Sequence, residues 1–462
     1  MTPAFTLEEL VHATRGTLLS GDLTIPVSGV GIDSRTLGVG EAFFAIHGHR
    51  LDGHAYVREA AARGAACLVI HAVSDLPAAV PTVLVDDTTQ ALGRLAAWHR
   101  ARFPVPVAAV TGSNGKTTTK EMMAAVLAAL GPVLKPEGSF NNQWGLPLTL
   151  LRLSPAHRAV ALELGANAPG EIAALAAISR PTVGVVTVVA TAHTEFFGSL
   201  DGVQAEKSAL VHAIPADGAV VLNADDARVI AMRELTRARV ITFGVDRVAD
   251  VTASQVVAAD DEALRFELAA GAGRRPVRLA FAGRHNVPSA LAAAGVGLAL
   301  GLGLDAIAAG LAAARPAKGR CVWRRAGPIR ILDDSYNANP ASVRAALEVL
   351  AAARGARRVV VLADMLELGD AADDAHQEAG RLVARSGAAE LVGVGARARA
   401  LVEAARAGGL AESHHTTTFE DTVALLLKRL APGDAVLVKG SRGMRMERVV
   451  DALVARYGGE DG

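Results

Sequence analysis

TGSNGKTTTK, running from Thr111 to Lys120, is the stretch from which the fold can be read. It follows an apolar, β-branched run at 105–110 and opens into a segment with apolar residues at helical spacing: Met122, Met123, Val126, Leu127 and Leu130. Gly131 and Pro132 close that segment, so the order is strand, glycine loop, helix. In such a loop the backbone N–H groups freed by Gly112 and Gly115 converge on a phosphate, aided by the positive end of the helix dipole. Ser113, Asn114 and Thr118 belong to the same cradle. Lys116 is expected to reach the outer phosphates, and Thr117 to offer its hydroxyl to Mg²⁺. The common pattern asks for a further glycine five positions before Gly115, where this chain has Val110, so the match is to a shorter variant, GxxGKT. The competing reading, a glycine turn that only caps a helix, leaves Lys116 without a purpose.

Around this loop lies a chain of 462 residues, enough for two to four domains with cores of ordinary size. Acidic and basic residues balance at 47 each, so no overall field draws in nucleic acid or an anionic membrane. Cys67 and Cys321 stand far apart without metal-ligand spacing, which fits packing roles in a reducing compartment. Glu8 and Glu9 occupy the place where an export signal carries positive charge, and the expectation is a cytoplasmic protein. The longest apolar run, 290–304, is fifteen residues and ends at Asp305, short for a membrane span. It reads as one or two buried helices broken near Gly301 to Gly303.

Up to Phe103, short strand-like and helical runs alternate. Residues 6–13 read as a helix capped by Thr6 with Glu9 in the capping-box position. Residues 27–32 read as a strand leading into DSRTLGVGEAFFAIHGHRLDGH, followed by a helix over 55–63 and a strand over 67–71. So dense a set of polar residues and glycines reads either as a binding loop or as a turn-rich connection. Two prolines in 103–106 mark a linker, and Arg315-Pro316 marks a second. The expected division is therefore 1–103, 104–315 and 316–462. The middle segment alternates strands (159–162, 183–189, 219–222, 240–243) with helical patterns, which predicts a mostly parallel sheet wound on both faces. Residues 250–282 read as a less regular antiparallel insert. The last segment repeats the alternation with strands at 329–332, 358–362, 390–394 and 435–438, without any internal sequence repeat. The fold class is α/β in three domains: a small N-terminal α/β domain, a central doubly wound ATPase domain and a C-terminal Rossmann-like domain.

Ligands in such sheets gather at the carboxyl ends of strands. Glu163, His193 and the glycine loop all fall there, three segments predicted to meet in one crevice. Each alone has a plainer reading: Glu163 as a helix cap or ion-pair partner, His193 as a core histidine. Lys207, in VQAEKSALV, reads by default as a helix-surface charge beside Glu206. Asp334 either accepts from ribose hydroxyls or serves a turn. Arg320 either swings onto a phosphate or makes a linker salt bridge. Asn286 either meets a purine edge or caps its helix, and Asn141 with Asn142 form a turn pair or a polar-ligand contact.

Taken together, TGSNGKTTTK, NNQWGLPLTLLRL, LELGAN, AHTEFFGS, HNV, DDSYNANP, DMLELG and VKGSRGMRME resemble the Mur ligases of peptidoglycan synthesis through essentially the whole chain. Within that family the resemblance is to the members that add D-alanyl-D-alanine to UDP-N-acetylmuramoyl-tripeptide. The DNPR motif of the sister ligases that add the third residue is absent. The resemblance implies an N-terminal domain for the UDP-sugar, a central domain for ATP and two Mg²⁺ ions, and a C-terminal domain for the incoming amine. It assigns Lys116 to the β/γ-phosphates, Thr117 and Glu163 to one Mg²⁺, His193 to a metal, and Lys207, carbamylated by CO₂, to the second Mg²⁺. Asn286 is assigned to adenine, Arg320 to the γ-phosphate and Asp334 to ribose. Ser34 and Arg35 fall in the uridine-nucleotide loop, Asn141 and Asn142 face the muramoyl-peptide, and Tyr336, Asn337 and Asn339 lie where the dipeptide docks. Two positions depart from the family pattern: Ser289 stands for a second asparagine in HNxxN, and Ala363 for a glycine before DMLELG. The implied activity is an ATP-dependent amide ligase acting as a monomer, with no nucleic-acid partner and no membrane insertion. Rivals are another Mur ligase, a folylpolyglutamate-type ligase, and a P-loop regulatory ATPase that ligates nothing.

Overall fold

The computed structural model describes residues 5–48, 51–73, 77, 80–138, 140–190, 197–260, 262–353 and 356–458. Three larger sheets organise them. The first has five strands in the order Thr17–Ser20, Thr82–Leu84, Cys67–Ile70, Glu41–Phe44 and Gly29–Gly31, parallel except for Thr17–Ser20. Ahead of it, the helix Leu7–Thr14 starts as its sequence requires: the Thr6 hydroxyl accepts from the Glu9 N–H while the Glu9 carboxylate accepts from the Thr6 N–H. The single strand expected at 27–32 is two short ones. Pro26–Val27 pairs antiparallel with Phe5–Thr6, and Gly29–Gly31 joins the five-stranded sheet, because Ser28 turns aside to donate its N–H to the Gly40 carbonyl.

The second sheet has nine strands and carries the glycine loop on an inner strand, third from one edge. Val107–Thr111 lies between Ala159–Glu163 and Val183–Val186, all parallel, and the parallel run continues through Ala219–Asn223 and Arg239–Gly244. Strands buried on both faces read as unbroken apolar runs, which is what Val107–Thr111 and Ala159–Glu163 are. The insert expected to be irregular is a regular antiparallel extension of this sheet, Val251–Asp260, Ala263–Ala270 and Gly273–Leu279, with register shifts only in the first pair. Its arginines obscured the alternation that puts Leu264, Phe266 and Leu268 inside. The apolar run at 290–304 forms the helices Val287–Ala299 and Leu304–Ala313, broken at Gly301–Gly303 as expected. Among the described residues no helix is long and apolar enough to cross a membrane.

The third sheet has six strands, four of them at the predicted positions: Ile329–Asp334, Ala435–Lys439, Arg358–Ala363 and Glu390–Val394, all parallel. Sequence reading missed both edges. Val322–Ala326 carries two arginines, and Ser413–Thr416 is Ser-His-His-Thr, too polar to register as strand. At 103–106 the chain is extended, yet the apolar core runs across it. Phe5, Leu92 and Leu95 belong to one cluster with Val107, Leu150 and Leu162, because the helix Thr88–Ala101 packs against both Leu7–Thr14 and Gly145–Leu150.

Candidate functional site

At the carboxyl end of Val107–Thr111 the backbone turns through Gly112 (φ 145°) and Gly115 (φ 80°), the latter capping the helix Lys116–Leu127. A Cβ at Gly112 would lie 2.0 Å from Thr187 Oγ1, so only glycine lets the loop pass the next strand end. The loop is pinned from that side. Ser113 donates its N–H to Val188 (2.8 Å) and its hydroxyl to Ala190 (3.0 Å), and Thr187 Oγ1 donates to the Asn114 carbonyl (2.6 Å). Lys116 folds back over the loop, with Nζ 2.7 Å from the Gly112 carbonyl. Burial pulls its pKa below the ordinary lysine value. Glu163 opposes that shift, and Arg320 reinforces it.

The next residue of the helix meets the neighbouring strand. Thr117 Oγ1 donates to Glu163 Oε2 (2.8 Å), and Asn141 Nδ2 donates to Glu163 Oε1 (2.8 Å). Glu163 is buried, and its carboxylate accepts both contacts. A hydroxyl and a carboxylate set side by side at a phosphate loop are hard oxygen donors, and they fit Mg²⁺, which takes few protein ligands and completes its shell with phosphates and water. Asn142 behaves differently from its neighbour: its side-chain oxygen accepts from the N–H groups of Trp144 and Gly145, the turn role.

The six-stranded sheet closes the other side. Arg320 Nη2 donates to Thr117 Oγ1 (3.2 Å), its guanidinium lies 4.1 Å from the centroid of the Tyr336 ring, and its Nε is buried without a hydrogen-bond partner among the described residues. An orphaned guanidinium edge facing a glycine loop fits an oxyanion. Asn339 uses its oxygen to cap the helix Pro340–Ala352 and its amide to reach Asn114 Oδ1 of the loop (2.6 Å). Asp334 accepts from the Cys321 N–H (3.1 Å) and forms a buried ion pair with Lys439, whose Nζ also donates to the Asn337 carbonyl (2.9 Å). These groups line one cleft of about 420 Å³ together with Asn286, Ser289 and Thr118. Asn286 stands at the start of its helix but does not cap it; its amide donates to the Ala282 carbonyl (2.7 Å).

Of Tyr336, Asn337 and Asn339, read from sequence as a dipeptide contact, Asn337 and Asn339 line the cleft and Asn339 reaches the glycine loop, while the Tyr336 ring packs against the Arg320 guanidinium. Ser34 and Arg35 do not line this cleft. Ser34 Oγ donates to Glu59 (3.0 Å), and the exposed Arg35 pairs with Asp33, holding that carboxyl down near about 2. His193 lies outside the described residues. Lys207 departs from its default reading as a surface charge: on the helix Leu200–Ala213 it is buried, with Nζ 5.5 Å from the Phe197 ring centroid. Burial first, and the charge of Lys116 second, lower its pKa to about 7. Its neighbour Glu206 is buried too, accepting from the N–H groups of Gly170 and Ile172 (both 2.7 Å) at the start of the helix Glu171–Ser179. Sequence reasoning gave no role to Lys439 or Lys120. Lys439 ends a predicted strand, which was the available signal. Lys120 is fully buried and donates to the carbonyls of Pro136 (3.2 Å) and Gly138 (2.9 Å), a pairing no spacing rule reveals.

Three family models match the chain: "Mur ligase family, catalytic domain" over residues 26–100, "Mur ligase middle domain" over 110–297, and "Mur ligase, glutamate ligase domain" over 319–442. The chain is 40% identical to the UDP-N-acetylmuramoyl-tripeptide--D-alanyl-D-alanine ligase of Mycobacterium tuberculosis, over 92% of each chain. It is 38% identical to that of Escherichia coli K12, over 97% of this chain and 98% of the other. Among solved structures it is similar to MurF from Acinetobacter baumannii, with a TM-score of 0.88 at 34% identity over 98% of this chain and 99% of the other. It is also similar to the MurF ligase from Thermotoga maritima in complex with ADP, with a TM-score of 0.80 at 26% identity over 93% and 97%.

Proposed function

We propose that this chain, which belongs to the Mur ligase family, is an ATP-dependent ligase that joins D-alanyl-D-alanine to UDP-N-acetylmuramoyl-tripeptide to make the pentapeptide precursor of peptidoglycan. The observation that carries the reading is the meeting of Lys116, Thr117 and Glu163 from the nine-stranded sheet with Arg320 and Asn339 from beside the six-stranded one. A carboxylate resists nucleophiles, so it must first be activated. The γ-phosphoryl of ATP passes to the terminal carboxylate of the tripeptide, releasing ADP. The amine of the dipeptide then attacks the acyl phosphate, and the tetrahedral intermediate expels phosphate as the amide forms.

In this reading the loop amides, Lys116 and Arg320 hold and neutralise the phosphates where charge builds up. Thr117 and Glu163 would hold one Mg²⁺, His193 a metal and a carbamylated Lys207 the second Mg²⁺, which would supply charge neutralisation at the transferred group. A lysine with its pKa near 7 exposes the neutral amine that CO₂ requires, which supports the carbamate assignment. Asn286 serves adenine and Asp334 ribose. Asn141, tied to Glu163, and Asn142 face the muramoyl-peptide, and Ser34 and Arg35 belong to the uridine-nucleotide loop. Residues 1–103, 104–315 and 316–462 act as the UDP-sugar, ATP and amine domains, whose closure keeps the acyl phosphate from water. A cytoplasmic setting and a monomeric state complete the reading. Crossing candidate UDP-muramoyl-peptides with candidate amines in an ATP-to-ADP assay tests it. ADP formation that requires both UDP-muramoyl-tripeptide and D-alanyl-D-alanine is the expected result; ADP release independent of either overturns it in favour of a regulatory ATPase.

A further inference from the structure

Lys120 lies three residues beyond Thr117 on the helix Lys116–Leu127, so the two side chains share a face. It is fully buried, and an ammonium taken out of water is costly unless each of its three donors is met. All three are met: it donates to the carbonyls of Pro136 (3.2 Å) and Gly138 (2.9 Å) and pairs with Glu121 Oε1 (2.6 Å). Glu121 is in turn paired with Lys135. Between the strand Val133–Leu134 and the helix Gly145–Leu150 the described chain has no helix or strand of its own, so these contacts tie residues 135, 136 and 138 to the phosphate-loop helix. Three residues further on, Asn141 donates to Glu163 Oε1 (2.8 Å), and its carbonyl accepts from the Gly165 N–H (2.9 Å). The fit there has no slack: a Cβ at Gly165 would stand 2.8 Å from Asn141 Cγ. Since Thr117 donates to the other oxygen of Glu163, the contacts form a closed circuit that starts and ends on one helix face.

On the reading that Thr117 and Glu163 hold Mg²⁺, we propose that Lys120 is a positioning residue for that ion: by holding residues 135–138 it fixes Asn141 and, through Asn141, the orientation of the Glu163 carboxylate. Mg²⁺ tolerates little departure from octahedral geometry, so a carboxylate that shares it with a neighbouring hydroxyl and phosphate oxygens is sensitive to its own orientation. Side chains that hold a metal are commonly oriented by a hydrogen bond from a second group. Lys120 acts one step further out, on the backbone that leads to that group. An apolar side chain of the same length fills the same space but takes the donor away from both carbonyls, which frees the turn before Asn141 to shift.

ADP titrated calorimetrically into the full-length chain, with and without Mg²⁺, tests this by binding alone. In the parent chain Mg²⁺ tightens ADP binding. Lys120→Met leaves the Mg²⁺-free affinity within about twofold of the parent and reduces the gain from Mg²⁺ by about three- to tenfold, the scale of one hydrogen bond lost at a charged group. Lys120→Gln, which keeps N–H donors at the site, restores part of that gain, and it takes the same two titrations if Lys120→Met does not fold. Asn141→Ala alone lowers the gain to the same degree, and Lys120→Met added to it lowers it no further, as expected of residues that act in series. A clamp that serves folding alone lowers the melting temperature and leaves the gain from Mg²⁺ unchanged. That result, equal losses with and without Mg²⁺, or additive losses in the double variant overturns the proposal. A parent chain indifferent to Mg²⁺ overturns it together with the metal assignment of Glu163, while the ligase reading stands or falls separately on substrate-dependent ADP formation.

Discussion

At the residue scale, two lysines in one neighbourhood are tuned by burial. Lys116 has phosphate loop carbonyls as its present partners, so removing it takes away charge without breaking a packed core. Lys116→Ala lowers turnover at least about a hundredfold, the scale of one transition-state charge contact, measured by steady-state ADP formation. Lys207 makes a prediction about pH. In the folded chain it releases its proton near about 7, while an ordinary lysine holds it to 10.5. Between those values the unfolded chain binds the extra proton, so the stability tied to Lys207 rises with pH across that window and is flat above it. In CO₂-free buffer, Lys207→Met removes this rise, seen as a smaller difference between denaturant midpoints at pH 7 and pH 9 than the parent shows. Equal differences in the two chains would sink the assignment.

At the element scale, the turn from Val107–Thr111 into Lys116–Leu127 is set by steric exclusion more than by flexibility. Gly112 combines a positive φ with an approach to Thr187 that leaves no room for a methyl group. Gly112→Ala therefore displaces the loop and abolishes measurable ADP binding by calorimetry, while the melting temperature falls by a few degrees because the buried strand below is untouched. This element was legible from sequence because its information is local: two glycines, a lysine and a threonine at fixed spacing after an apolar run. The antiparallel edge at 251–279 was less legible, since arginines on the solvent face disguised the period of two. The polar strand Ser413–Thr416 was not legible at all; it is a strand because Glu390–Val394 offers it a ladder, which is a tertiary fact.

At the scale of the whole molecule, Asn339 joins distant parts of the chain by doing two things at once, capping Pro340–Ala352 with its oxygen and reaching Asn114 with its amide. Asn339→Ser keeps a capping hydroxyl and deletes the bridge. The KM for ATP rises about two- to tenfold, the worth of one hydrogen bond, with the melting temperature nearly unchanged. A matching fall in melting temperature would instead make the contact a matter of folding. Sequence by itself determined the α/β class, the phosphate loop, the strand ends bearing Glu163 and Asp334, and the family resemblance, because each depends on neighbours within a few residues or on motifs in a row. Only the tertiary structure decided that Lys207 is buried, that Asn339 meets Asn114, that Arg320 reaches Thr117, and that Lys120 meets the carbonyls of Pro136 and Gly138. Burial and through-space charge depend on which surfaces pack together, and no spacing along the chain encodes that.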